Sequence, residues 1–95
     1  MALNREEMMA LLMKKFPDMY LRTTEEFYGE KEGTGIWCCS VEDRQIWKKI
    51  LIFNYYTGDP NKYTNGVSKS FDLLLDVNGW YFEWNDPGTI MFYPI

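Results

Sequence analysis

The chain has 95 residues, of which 46% are apolar and 18% aromatic, and its formal net charge at pH 7 is −4. This length holds one domain, and the high apolar content excludes disordered and low-complexity chains. The sequence contains no histidine, which excludes Ser-His-Asp and Cys-His catalysis and histidine-based metal sites.

The first predicted element is a helix over residues 5–15. Asn4 suits the N-cap position, and Glu7 follows three residues later in a capping-box pattern. Pro17 ends the helix, because proline disfavours a helical residue before it. Apolar residues recur at helical spacing and form a stripe: Met8, Met9, Leu12, Met13 and Phe16. This stripe fits packing on a sheet, with a methionine-rich partner groove as the alternative.

A β-hairpin is predicted over residues 19–41. Aromatic and β-branched residues favour strands at 19–28 and 36–41, and the glycine-rich segment 29–35 between them favours a turn. The tip of this hairpin is acidic, and the acidic residues of the hairpin as a whole include Glu25, Glu26, Glu30 and Glu32. The adjacent residues Cys38 and Cys39 would point to opposite faces of a strand, so two reduced thiols are expected.

The middle of the chain is harder to assign. The apolar run over residues 50–56 is typical of a central strand, so a turn at 42–45 and a strand over about 46–56 are predicted, with a short helical turn as the alternative. Residues 57–66 carry glycine, proline and asparagine and predict a loop.

A second helix and a second hairpin complete the chain. Apolar residues recur at helical spacing at Val67, Phe71, Leu74 and Leu75, and Gly79 is a natural helix stop. Strands over 80–84 and 89–93 follow.

Pro87 and Gly88 fit the central positions of a type II turn between these strands. Alternation places Trp80, Phe82 and Trp84 on one face and Tyr81, Glu83 and Asn85 on the other. The sequence therefore predicts one α+β domain with a mostly antiparallel sheet of about five strands and two helices, in the order α-β-β-β-α-β-β.

Charge and hydropathy limit the partners and the location of the protein. With ten basic and fourteen acidic residues, the chain lacks the excess of positive charge that is typical of a duplex nucleic-acid binder. The N-terminus shows no signal-peptide pattern, and no apolar stretch reaches the length of a membrane span. We therefore expect a cytoplasmic protein without a membrane partner.

Acid–base chemistry by carboxylates is the one catalytic option that the composition leaves open. Glu83 follows aromatic residues, and desolvation there would raise its pKa and suit it to general-acid work with Glu25 or Glu26. The competing interpretation is a sheet carboxylate that faces water. The serine and cysteine residues lack a histidine base, and no phosphate-binding glycine loop or calcium loop occurs. We expect no metal, no cofactor and no enzymatic activity.

Aromatic residues on the predicted strands suggest a second kind of function. Aromatic rings on a sheet can stack unpaired bases or sugars, and the candidates are Trp37, Tyr55, Tyr81, Trp84 and Tyr93. A single-stranded nucleic-acid or glycan binder is therefore the leading alternative. The competing interpretation is that these aromatic residues build the core, which a small domain needs.

Two segments carry a resemblance to known proteins. The run from Gly79 to Met91 and the segment Phe53-Asn54-Tyr55-Tyr56 resemble small proteins encoded by phages and prophages. The resemblance implies a non-enzymatic protein that occupies a surface on a host or phage macromolecule, as anti-defence inhibitors do. Such a host would place the protein in its cytoplasm.

The sequence thus favours a small acidic module that binds another protein, with homo-oligomer formation left open. An acidic cluster can occupy a basic nucleic-acid channel of a partner, which makes mimicry one form of this hypothesis. The expected contact residues are Glu25, Glu26, Glu30, Glu32, Tyr81, Glu83, Trp84 and Tyr93.

Overall fold

A computed structural model describes residues 2–24, 35–39, 45–57 and 59–95. These residues form an α+β domain with two helices and short antiparallel strands, which confirms the predicted fold class. The helices are α1 (Arg5–Lys15) and α2 (Lys69–Val77). The strands are β1 (Leu21–Thr23), β2 (Ile36–Cys38), β3 (Ile46–Trp47), β4 (Ile50–Leu51), β5 (Tyr63–Thr64), β6 (Val67–Ser68), β7 (Trp80–Asp86) and β8 (Thr89–Pro94).

Four of these strands make the main sheet, in the order β1-β2-β8-β7, and every neighbouring pair is antiparallel. Strands β3 and β4 form a separate ribbon, and so do β5 and β6. In the main sheet, Trp37 lies opposite Arg22 on one side and Met91 on the other, and Met91 lies opposite Glu83. This register aligns one row of side chains across all four strands.

Helix α1 has the predicted bounds and the predicted cap. The Glu7 N–H donates to Asn4 Oδ1 at 2.9 Å, and the Asn4 N–H donates to Glu7 Oε1 at 3.1 Å. Met8 and Leu12 are fully buried, whereas Met13 is 56% exposed. The predicted stripe is therefore too wide, because the helix presents only a narrow face to the core and Met13 lies on its flank.

The core lies between the inner face of the main sheet and the layer formed by the helices and ribbons. Phe71 stands at its centre, with ring centroids 5.6 Å from Phe16, 5.3 Å from Phe53 and 5.6 Å from Phe92. These rings join segments far apart in sequence, as expected for a small domain that depends on aromatic side chains.

The described part of the first hairpin pairs as predicted. Strand β1 pairs antiparallel with β2, and the Thr24 N–H donates to the Gly35 carbonyl at 3.1 Å, where the described part of the hairpin ends. Cys38 is buried, Cys39 is half-buried, and no disulfide joins them. Residues 25–34, which include all of the predicted turn except Gly35, lie outside the described residues.

The predicted strand over 46–56 is wrong. The chain reverses after two residues of β3, at Lys48 and Lys49, whose φ angles are 53° and 73°. Strand β4 ends at Leu51, and Phe53 makes only an isolated bridge to Val67. Of the apolar run, Ile52 and Phe53 are buried in the core, whereas Tyr55 and Tyr56 are exposed. Residues 42–44 of the predicted turn lie outside the described residues.

The predicted loop over 57–66 contains strand β5, which pairs with β6 to form the second ribbon. Asn65 and Gly66, with φ of 47° and 81°, reverse the chain between β5 and β6. Helix α2 consequently begins at Lys69, capped by Ser68, whose Oγ accepts the Phe71 N–H at 3.3 Å. Gly79, at φ 80°, confirms the predicted helix stop.

The second hairpin forms as predicted, with both strands one or more residues longer. Trp80 is buried, Phe82 and Trp84 are half-buried, and Tyr81 and Glu83 are exposed, which confirms the alternation. The type II turn is wrong, since the φ of Gly88 is not positive. The Gly88 N–H donates instead to Asp86 Oδ1 at 2.9 Å, so an aspartate side chain organises this turn.

Candidate functional site

Three of the predicted contact residues meet on the outer face of the main sheet. Tyr81 lies directly opposite Tyr93, with ring centroids 5.8 Å apart, and Tyr81 is 42% exposed. Glu83 follows on the same face of β7 and is exposed. We call Tyr81, Glu83 and Tyr93 the outer-face patch.

Gly35 positions Tyr93 within this patch. A Cβ atom on Gly35 would lie 2.6 Å from Cδ1 and Cε1 of Tyr93 and 2.8 Å from the carbonyl oxygen of Phe92. Carbon atoms in contact normally stay about 3.5–4.0 Å apart. The Tyr93 ring therefore occupies the space that any larger residue at position 35 would need.

The other margin of the same face carries a cationic counterpart. The Arg22 guanidinium lies 4.9 Å from the centre of the Tyr20 ring, and its Nε donates to the Tyr20 hydroxyl at 2.6 Å. Tyr20 is 43% exposed, whereas Met91, in the middle of the face, is only 2% exposed. Three strand spacings separate Arg22 from Glu83, or about 14 Å. The open parts of this face are thus its two margins.

Glu83 is the charged member of the outer-face patch. Residues 70–95 contain no lysine or arginine, so its own hairpin offers the carboxylate no cation. The side chain is exposed, as in the competing interpretation of Glu83 as a sheet carboxylate that faces water. The carboxylate is placed to receive a cation from outside the hairpin.

Trp84 is the other predicted contact residue within the described ranges, and it is not part of this patch. Trp84 lies on the inner face, where its Nε1–H donates to the carbonyl oxygen of Asn65 at 2.6 Å and its ring centroid lies 4.9 Å from that of Tyr55. Glu25, Glu26, Glu30 and Glu32 lie outside the described residues.

Sequence reasoning missed a cavity beside Trp84. Its volume is about 360 Å³, and we call it the Tyr55 cavity. The Asn61 N–H donates to Asp59 Oδ1 at 3.0 Å, and the Asp59 N–H donates to Thr57 Oγ1 at 3.2 Å, so the loop on its wall is internally bonded. The Asn-Gly pair was the available signal for the turn that forms its other wall. Its lining includes Tyr55, Thr57, Asp59, Tyr63 and Asn65.

A carboxylate outside the outer-face patch, Asp72, has a shifted pKa. On helix α2, burial and the neighbouring Asp76 carboxylate raise the pKa of Asp72.

Within the described ranges, no three Cys, Asp or Glu side chains cluster so that they could hold a metal ion. Neither of the two helices in the described part of the chain is long and apolar enough to cross a membrane.

Comparison with known proteins adds no family. No protein-family model matches the chain, and it shows no significant similarity to a curated protein or to a solved structure. The functional inference therefore depends on the geometry of its surface.

Proposed function

We propose that this chain is a non-enzymatic protein-binding module that acts by occupying a surface of its partner. The observation that carries the proposal is the outer-face patch, where the Tyr81–Tyr93 ring pair stands beside the Glu83 carboxylate on a sheet. Tyrosine is enriched at protein interfaces, where it offers a large contact area at low entropic cost. A sheet also holds these side chains more rigidly than a loop.

The chemistry of the patch favours an arginine of the partner as its central contact. A guanidinium can stack on a tyrosine ring and donate two parallel hydrogen bonds to a carboxylate. Tyr81 and Glu83 lie two residues apart on one strand, about 7 Å between Cα atoms, so both contacts are within reach of one side chain. Glu83 has no lysine or arginine on its own hairpin to compete with that arginine.

Inhibition of a host or phage macromolecule is the form of this function that the resemblance to phage-encoded proteins supports. The acidic segment with Glu25, Glu26, Glu30 and Glu32 would then extend the contact and mimic nucleic-acid charge on a basic partner surface.

Affinity capture with matched variants tests the proposal. Lysate of the organism that encodes the chain, or of its host, is passed over the immobilised protein at moderate salt. We expect a stoichiometric partner that Y81A and E83Q lose and that Y56A retains, because Tyr56 is 81% exposed but lies outside the patch. Equal capture by Y81A, E83Q and Y56A would count against the proposal, and so would the absence of any stoichiometric partner.

The Tyr55 cavity supports a second candidate function, glycan binding. Sugar rings pack on aromatic faces and hydrogen-bond to carboxylate, amide and hydroxyl groups, and a volume of about 360 Å³ falls in the range of small-molecule pockets. Trp84 contacts Tyr55, so its fluorescence reports on occupancy. Oligosaccharides that quench wild-type fluorescence but not that of Y55A would support this function. Absence of quenching at millimolar sugar would exclude it.

A further inference from the structure

The turn between β3 and β4 has an unusual sequence for its conformation. Both two-residue turns of the described ribbons place two consecutive residues at positive φ. One uses Asn65 and Gly66, the residues that such turns favour. The other uses Lys48 and Lys49, which pay a steric cost of about 1–2 kcal/mol each in the left-handed region. Strained backbone of this kind is concentrated at functional sites.

The strained turn belongs to a cluster of four exposed lysines. Lys48 Nζ lies 4.9 Å and Lys15 Nζ 6.0 Å from the centre of the Trp47 ring, so the end of α1 and the turn meet at one indole. Lys14 and Lys49 are their chain neighbours, and all four lysines are exposed. No described carboxylate forms an ion pair with any of them. We call these lysines, with Trp47, the lysine corner.

An apolar cavity of about 170 Å³ opens beside the lysine corner. Phe16, Pro17, Ile46 and Ile52 supply its apolar walls, and Lys15 and Asp18 lie at its polar side. Ile46 is 67% exposed, so one wall is open to solvent. The cavity has room for one apolar side chain, and the Lys15 side chain lies on its wall.

We propose that the lysine corner binds an acidic peptide segment of a partner, with one apolar anchor residue in this cavity. Charge complementarity carries the choice, because Lys15 lines the cavity, Lys15 and Lys48 meet at the Trp47 ring, and no described carboxylate pairs with either, on a chain of net charge −4. Screening confines their attraction to roughly 10 Å at 0.1 M salt, so the local positive field governs binding there.

Single-stranded nucleic acid fits this surface less well. Such binders stack bases on free aromatic faces. Here two ammonium groups lie near the Trp47 ring, and Phe16 approaches it edge-on at 5.2 Å. The cavity walls beside it are largely aliphatic. This surface goes beyond the proposed function, since it is separate from the outer-face patch and can fail independently of it.

Peptide titration by fluorescence anisotropy tests the proposal on the full chain. The probe is a labelled eight-residue peptide of aspartate and glutamate with one central leucine, and the control peptides replace that leucine by serine or the acids by lysine. We expect the leucine peptide to bind at least tenfold more tightly than either control. A deoxythymidine decamer should bind no more tightly than the serine peptide.

The double variant K48N/K49G removes two charges and keeps the turn, because Asn-Gly already forms the other ribbon turn. We expect it to weaken leucine-peptide binding at least tenfold, whereas K62A, at an exposed lysine elsewhere, leaves binding unchanged. I46S should abolish the preference for leucine over serine. Unchanged binding by K48N/K49G, equal binding of all three peptides, no binding of the leucine peptide, or tighter binding of the decamer would each overturn the proposal.

Discussion

The indole Nε1–H of Trp80 donates a hydrogen bond to the backbone carbonyl oxygen of Leu3, at a distance of 2.9 Å and across 77 positions of the chain. Trp80 is 1% exposed, and the Leu3 N–H donates in turn to the Asn78 carbonyl at 3.0 Å. The segment before α1 is thus fastened to the start of β7, the strand that carries most of the outer-face patch.

Loss of this bond should destabilise the fold. In W80F the Leu3 carbonyl loses its partner in a partly buried place and the smaller ring leaves a void, so we expect a cost of about 2–4 kcal/mol. Urea denaturation followed by circular dichroism measures it. W84F removes the same atoms from a more exposed bond and should cost about 1 kcal/mol. A smaller loss in W80F than in W84F would contradict this role of Trp80.

The glycine beneath Tyr93 gives the next prediction. The clash of a methyl group at position 35 with the Tyr93 ring and the Phe92 carbonyl should make G35A less stable by about 1–3 kcal/mol. In G35A/Y93A the ring is gone but the carbonyl remains, so the added methyl should cost less than it does beside Tyr93. A double-mutant cycle measures the coupling, and additive effects would show that Tyr93 does not lie on Gly35.

Replacing Lys48 and Lys49 with the Asn-Gly pair of the other ribbon turn should stabilise the protein. K48N/K49G relieves two left-handed lysines but gives up the contact of Lys48 with Trp47, so we expect a net gain of about 1 kcal/mol in the free energy of unfolding. Thermal denaturation measures it. The reverse exchange at the other ribbon, N65K/G66K, should lower stability. A loss of stability in K48N/K49G would mean that the lysines themselves hold this turn.

Helix α2 contains a charge conflict with a defined pH dependence. Burial and Asp76 raise the pKa of Asp72 from its ordinary value of 3.8, so the folded state binds that proton more tightly than the unfolded state. This site therefore loses stability as the pH rises from about 3.8 through the higher folded pKa, and the penalty is complete above it.

D76N should remove part of that penalty. It eliminates a like-charge pair at i, i+4 and a negative charge in the last helical turn, where no basic residue stands. We expect a gain of about 0.5–1 kcal/mol at pH 7 that fades near pH 3, where the Asp72 carboxylate is protonated and the like-charge pair is gone. Urea denaturation at both pH values measures it. An equal gain at both pH values would refute the electrostatic explanation.

Local sequence signals predicted the elements that local interactions determine. Asn4 and Glu7 marked the start of α1, and period-two alternation placed Tyr81 and Glu83 on one face of β7 before any register was known. The Lys48–Lys49 turn carries no glycine or asparagine, so no residue type indicated that the chain direction reverses there. At Asn65-Gly66 the turn signal was present, but it was outweighed by the helical spacing of Val67 with Phe71.

The surfaces depended on contacts that no local pattern contains. Tyr93 joins Tyr81 only through the pairing register of β7 with β8, which the turn at Asp86 sets. The lysine corner needs residues from α1 and from the β3–β4 ribbon to meet around Trp47, across more than thirty positions of the chain. Their meeting follows from core packing around Phe16 and could not be inferred from the separate charge patterns.

Site-specific photo-cross-linking tests the central claim, that the outer-face patch is a protein-binding surface, most directly. A benzophenone amino acid replaces Tyr81 in one sample and Tyr56 in the other, and both are irradiated in the same lysate. We predict one cross-linked protein in near-stoichiometric yield from position 81 alone, joined through a peptide that contains arginine. The same products from both positions, or none from position 81, would contradict the claim.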